Sequence, residues 1–169
     1  LGEAVVTGDL DHPNIVPIYD VGSDAQNALF YSMKRVQGTP WDKVISRLSL
    51  EENLEVLMKV ADAIAFAHSR NVLHRDLKPA NVMLGEFGEV LVVDWGLAGR
   101  IGDPPEGGLG TPGWVAPEQV TGATPAPTAD VYALGGMLHL LLTGAAIRTG
   151  AARELWTLVA SDPPRAFPD

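Results

Sequence analysis

The stretch Val72–Gly96, VLHRDLKPANVMLGEFGEVLVVDWG, decides how the rest of the chain is read. Its first half crowds His74, Arg75, Asp76, Lys78 and Asn81 into one short loop. Pro79 fixes its own φ and has no N–H to give, which suits a rigid loop rather than a helix interior. Two short apolar runs follow, Asn81-Val82-Met83-Leu84 and Glu89-Val90-Leu91-Val92-Val93, with Gly85 to Gly88 between them. This pattern predicts a small β-hairpin that holds Asn81 and a second acid, Asp94, apart. An acid beside a lysine, with an amide and a further carboxylate nearby, gathers a proton acceptor, a cation and the hard oxygens that Mg²⁺ prefers.

The loop reads H-R-D-L-K-P-A-N and the later motif D-W-G. In this order and spacing they resemble the catalytic and metal-binding loops of eukaryotic-like (Hanks-type) protein Ser/Thr kinases, which also occur in bacteria. The resemblance covers nearly the whole chain. It implies an α+β, protein-kinase-like fold, mostly the helical C-lobe with a remnant of the N-lobe sheet. Residues 1–36 would form the N-lobe remnant and hinge, and 37–169 the C-lobe. It also implies transfer of the ATP γ-phosphate to Ser or Thr hydroxyls of protein substrates, with Mg²⁺. That reaction asks for positioning and electrostatics more than covalent chemistry. Asp76 would orient the hydroxyl and accept its proton, Asn81 and Asp94 would hold the metal, and Lys78 would meet charge on the transferred group. Small-molecule kinases related to aminoglycoside phosphotransferases share an H-x-D-x-x-x-x-N loop, but Lys78 favours the protein Ser/Thr class.

Composition narrows the partners. The 169 residues hold 12 Lys+Arg against 21 Asp+Glu, a net charge of −9, which speaks against a nucleic-acid or anionic-membrane surface. Hydrophobic residues at 46% and charged ones at 20% describe an ordinary globular chain. Without cysteine there is no disulfide framework and no thiolate metal site, which fits a reducing, cytoplasmic setting. No signal peptide is evident, and the longest apolar stretch, Val131 to Leu142, is too short for a bilayer, which takes ~20 residues.

Ahead of the loop, Leu1 to Leu10 reads as the last turns of a helix, and Asp11-His12-Pro13-Asn14-Ile15-Val16 as the turn after it. By resemblance, Glu3 would pair with a strand lysine that grips the α- and β-phosphates. Ile15 to Val21 and Ala28 to Met33 are expected strands. Met33 would be the gatekeeper, the backbone of Lys34 and Val36 would bond the adenine edge, and Met83 would join the ATP site. Ser49-Leu50-Glu51-Glu52 is a capping-box pattern opening a helix whose inward row is read as Leu54, Leu57, Met58, Ala61, Ile64, Ala65 and His68.

Beyond Gly96 the chain is rich in Gly and Pro up to Gly110-Thr111-Pro112-Gly113-Trp114-Val115-Ala116-Pro117-Glu118. This G-T-x-x-x-x-A-P-E pattern resembles the substrate-docking end of a kinase activation segment, which the small-molecule kinases lack. Thr111 would bond Asp76 and Lys78, and Glu118 would pair with an arginine further along. No Ser, Thr or Tyr lies between Gly96 and Gly110. Arg75, which in this family meets a loop phosphate, is therefore expected to be served by Asp103 or Glu106, with activity independent of loop phosphorylation. Trp95 would fill the apolar slot between Asp94 and Gly96. Asp130, opening a helix expected to be buried on all sides, would anchor the backbone of the catalytic loop. Arg153 to Ala160 suggests a further short helix. No Gly-rich loop or strand lysine precedes Glu3, so the sequence reads as a fragment, inactive by itself. The competing expectation is a pseudokinase or docking module that binds without catalysis.

Overall fold

Ser49 opens the central helix α1 (Leu50–Ser69) as its sequence predicts. Its hydroxyl accepts the Glu52 N–H at 3.2 Å while the Glu52 carboxylate takes the Ser49 N–H at 2.7 Å. The reciprocal cap satisfies two donors that the helix end would leave open. The structure is a computed structural model describing residues 10–23, 29–103, 110–148, 156, 157, 159 and 161.

α1 buries Asn53, Val56, Leu57, Val60, Ala63, Ile64 and Ala67, a row of three- and four-residue steps. The expected row is corrected: of its members only Leu57 and Ile64 are buried, Ala65 is exposed and Met58 is 63% exposed. Asn53 sets the rotation. Its Oδ1 accepts the indole N–H of fully buried Trp41 at 2.8 Å. Its Nδ2 lies 3.0–3.2 Å from the carbonyls of Ile45, Leu48 and Ser49. A polar side chain paired this fully behaves as core, which hydropathy periodicity cannot register.

Two strands, β1 (Ile18–Ser23) and β2 (Leu29–Met33), form an antiparallel ribbon. β1 begins three residues later than expected because Ile15 and Val16 are already committed elsewhere. Val16 N–H donates to Val92 O at 3.0 Å and Val92 N–H to Asn14 O at 2.8 Å, an isolated parallel bridge. Both side chains are buried in the main core with Leu10. The rest of the helix read over Leu1 to Leu10, including Glu3, lies outside the described residues.

After β2 comes β3 (Gly38–Pro40), then a short 3-10 turn, Trp41–Lys43, and α1. β4 (Val72–Leu73) leads into the loop, and β5 (Val82–Gly85) and β6 (Val90–Val92) form the expected hairpin, with Val82 opposite Val92 and Leu84 opposite Val90. β3 joins the outer edge of β5, and β7 (Gly99–Arg100) pairs with β4.

α2 (Pro117–Val120) is a single turn; α3 (Pro127–Thr143) packs along α1. Ala129, Ala133, Gly136 and Met137 of α3 point inward. The expectation of burial on all sides is corrected, since Val131 and Leu142 are more than half exposed. An apolar sequence with no polar stripe hides which flank faces out. Of the helix expected over Arg153 to Ala160, the described positions 156, 157 and 159 are helical. Among the described residues no helix is long and apolar enough to cross a membrane. The architecture is α+β: the helices are accompanied, among the described residues, by one three-stranded and two two-stranded sheets.

Candidate active site

The loop after β4 is built around one buried acid. Asp130, 1% exposed in the first turn of α3, accepts the His74 N–H through Oδ2 and the Arg75 N–H through Oδ1, each at 2.9 Å. His68 Nε2, from the end of α1, lies 2.8 Å from Oδ2. Burial pushes this carboxyl up, but the His68 bond, the His74 charge and the two N–H groups outweigh it and hold it below the usual carboxylate value. Tied down there, the chain turns through Arg75 with φ 68°, a left-handed conformation uncommon outside glycine.

That turn delivers Asp76 to a three-way contact. Lys78 Nζ lies 2.6 Å from Asp76 Oδ2 and 2.6 Å from Thr111 Oγ1, and the Thr111 hydroxyl donates to Asp76 Oδ1 at 2.7 Å. Asn81, closing the 3-10 turn Pro79–Asn81, donates from Nδ2 to Asp76 O at 2.9 Å and lies 3.2 Å from Asp76 Oδ2. An amide whose nitrogen is turned to Asp76 presents its oxygen the other way. The Val93 N–H donates to Asn81 O at 2.9 Å across the open end of the hairpin. The hairpin forms as expected and sets the backbone of Asn81 alongside the strand that leads to Asp94. Asp94 is exposed, with φ 60°. Among the described residues no three His, Cys, Asp or Glu side chains gather as a metal site. One carboxylate and one amide oxygen beside an open face nevertheless suit Mg²⁺, which keeps water and phosphate oxygens in its shell.

His74 and Trp95 brace the two motifs against each other. Their rings lie 4.6 Å apart between centroids, and Trp95, buried, donates its indole N–H to Val92 O at 3.2 Å. His74 Nδ1 accepts the Asp76 N–H at 3.3 Å, so its proton sits on Nε2, 3.2 Å from Val93 O. Burial holds its pKa below the ordinary 6.5, the attraction of Asp130 offsetting only part. A group depressed in this way costs stability once the unfolded chain can take a proton that the folded chain refuses. Stability should thus fall as the pH drops below about 6.5, by up to ~1.4 kcal/mol per pH unit for one proton. Urea unfolding between about pH 7 and pH 5 checks this: His74→Phe should flatten the slope by about that amount.

Arg75 points away from Asp76. Its guanidinium donates to Arg100 O at 3.0 Å and Asp103 O at 3.1 Å. It lies over the backbone of Gly99, where a Cβ would come within 2.5 Å of the guanidinium carbon. The expected acidic partner is thus met in altered form: Asp103 offers its main-chain carbonyl, and Glu106 lies outside the described residues. Glu118 accepts the Thr128 hydroxyl at 3.1 Å. Gly96 follows Trp95 in the turn before β7.

At the cleft edge, Met33 ends β2 and is 43% exposed. The Lys34 N–H donates to Pro17 O at 2.9 Å, and Val36 is half-buried. Met83 sits in β5 between Pro40 and Leu91. Sequence reasoning missed His68 and Gln119. His68 read as a packing residue because the acid it meets is distant in sequence, and nothing local marks it.

An acid held by Lys and Thr, beside an amide and an exposed acid, on an α+β body, defines a class. The chain belongs to the protein kinase family, whose protein kinase domain matches residues 1–157. Among curated proteins similar to it is the Serine/threonine-protein kinase PknD of Protochlamydia amoebophila, 36% identical, with 85% of this chain and 18% of that protein covered. The Serine/threonine-protein kinase PknD of Chlamydia muridarum is 35% identical, with 85% and 20% covered, and that of Chlamydia trachomatis serovar L2b 34% identical, with the same coverage. The chain thus spans about a fifth of the length of these relatives. The family in general uses ATP and Mg²⁺ and acts on proteins.

Proposed function

We propose that this chain forms the phosphoryl-transfer core of a protein Ser/Thr kinase, moving the ATP γ-phosphate to Ser or Thr hydroxyls of protein substrates in the cytosol. The observation that carries the reading is the closed contact of Asp76, Lys78 and Thr111, with all three distances between 2.6 and 2.7 Å. It supports Asp76 as the group that orients the incoming hydroxyl and takes its proton. Lys78, already bridging Asp76 and Thr111, stands where charge grows on the transferred group. Thr111 belongs to the segment that ends in Ala116-Pro117-Glu118, so seating that segment and completing the acid's surroundings are one event.

Asp94 and the Asn81 amide oxygen are the residues we assign to Mg²⁺. The ion would supply charge neutralisation to the triphosphate. The backbone of Lys34 and Val36, with Met33 and Met83, is assigned to the adenine edge, and Glu3 to the phosphate-gripping lysine of the family. His74 fixes the backbone of Asp76, while Trp95 holds Asp94 at the rim by filling the space behind it.

Full-length protein incubated with ATP and Mg²⁺ should phosphorylate itself or a mixed protein substrate on Ser or Thr. Nucleotide binding without any transfer would replace this reading with a binding-only module. The Arg75 contacts support a further expectation. A guanidinium already held by two carbonyls, in a loop lacking Ser, Thr or Tyr between Gly96 and Gly110, leaves activation without a loop phosphate. Mass mapping of active protein should find Thr111 unmodified; stoichiometric phosphate there would refute it.

A further inference from the structure

Gln119, the third residue of α2, reaches two segments at once. Its Oε1 accepts the Ala116 N–H at 3.0 Å and its Nε2 donates to the Arg75 carbonyl at 3.1 Å. That carbonyl belongs to the peptide joining Arg75 to Asp76, and the N–H of the same peptide donates to His74 Nδ1. Both polar groups of the bond ahead of the acid are therefore held by side chains, the N–H by His74 of the same loop and the carbonyl by Gln119 from α2. Gly110 closes in on the same oxygen: a Cβ there would lie 2.9 Å from it, and the backbone φ of +85° suits glycine. Arg75 itself sits at φ 68°, a conformation that persists only where the surroundings over-determine it.

We infer that Gln119 is a positioning residue for Asp76. It clamps the Arg75–Asp76 peptide from the end of the activation segment and so couples the seating of that segment to the aim of the carboxylate. A displacement of ~1 Å at such a group can cost ~100-fold in rate. The consequence for turnover rests on the proposed function; the clamp itself does not.

The test uses full-length protein carrying Gln119→Glu or Gln119→Met. Glutamate keeps the acceptor for the Ala116 N–H and removes the donor to Arg75; methionine keeps the length and removes both. Amide exchange across residues 74–77 should quicken about 3- to 10-fold in both variants, as expected for one lost hydrogen bond, while exchange in α1 stays unchanged. Turnover should fall about 10- to 100-fold with the KM for ATP within about twofold, and the unchanged exchange in α1 rules out a smaller folded fraction as the cause. Wild-type exchange and turnover in Gln119→Glu would overturn the inference, leaving the kinase reading untouched. Faster exchange in the variants of a protein that transfers no phosphate would uphold the clamp and refute the kinase reading.

Discussion

Asp76→Asn in the full-length protein should lower turnover by about 10²- to 10⁴-fold, with little change in the KM for ATP. The argument is geometric first. Asp76 has both carboxylate oxygens engaged, Oδ1 by the Thr111 hydroxyl and Oδ2 by Lys78. Asparagine keeps the size and one acceptor but removes the charge and turns an NH₂ group either toward Thr111 or toward Lys78. It can neither take a proton nor hold the ammonium in place. The residues we assign to the adenine edge are on a separate segment, so nucleotide affinity should be spared. The fold should also be spared, because a Lys–Asp pair at a partly solvated site contributes modestly. Steady-state kinetics of the variant decides the matter: turnover near the wild-type value would remove Asp76 from the role of base.

The largest effect on stability should come from Asp130. Asp130→Ala strips an acceptor from the His74 N–H, the Arg75 N–H and His68 at one enclosed point. Leaving such groups unpaired costs ~1–3 kcal/mol each, and removing one partner of a buried charged cluster ~3–5 kcal/mol overall. Set against a total of ~5–15 kcal/mol for a domain, a loss of that size threatens folding at ordinary temperature. Asp130→Asn, which keeps the shape and one acceptor, should lose roughly half as much. The pH dependence has a definite sign. The folded carboxyl sits below its ordinary value of 3.8, so its stabilisation is present above that pH and is lost as the pH falls through the folded value. Urea unfolding of both variants measures these terms, and a loss under ~1 kcal/mol in Asp130→Ala would show that the loop does not depend on this anchor.

Local order carried most of what the sequence revealed. The hairpin, the Ser49 cap and the crowding of Asp76, Lys78 and Asn81 depend on residues close together in the chain, and their patterns are written in turn chemistry and alternation. Thr111 was legible for a different reason: a motif with fixed spacing marked it before any contact was visible. What escaped depends on polar pairing that hydropathy does not register or on partners distant in sequence. The face of α1 is turned by Asn53, whose burial follows from Trp41 and three carbonyls rather than from hydropathy. The delayed start of β1 reflects Ile15 and Val16 being claimed by β6. Arg75 was expected to meet a carboxylate, and meets carbonyls because the backbone of residues 100–103 passes beneath its guanidinium. Gln119 carried no signal at all, since a glutamine after Pro-Glu looks like any solvated helix position.

The absent side chain of Gly99 has a bearing on how inherited variation in this gene should be judged. The position lies in a two-residue strand outside every recognised motif, and a score based on hydropathy or local conformation would rate it as tolerant. Yet the space beside its Cα is already filled by the Arg75 guanidinium. A side chain there has to push the flexible end of Arg75, 24 positions back along the chain, off its bonds to Arg100 O and Asp103 O. Its effect should be sorted with weakened Arg75 contacts rather than with changes at an open surface.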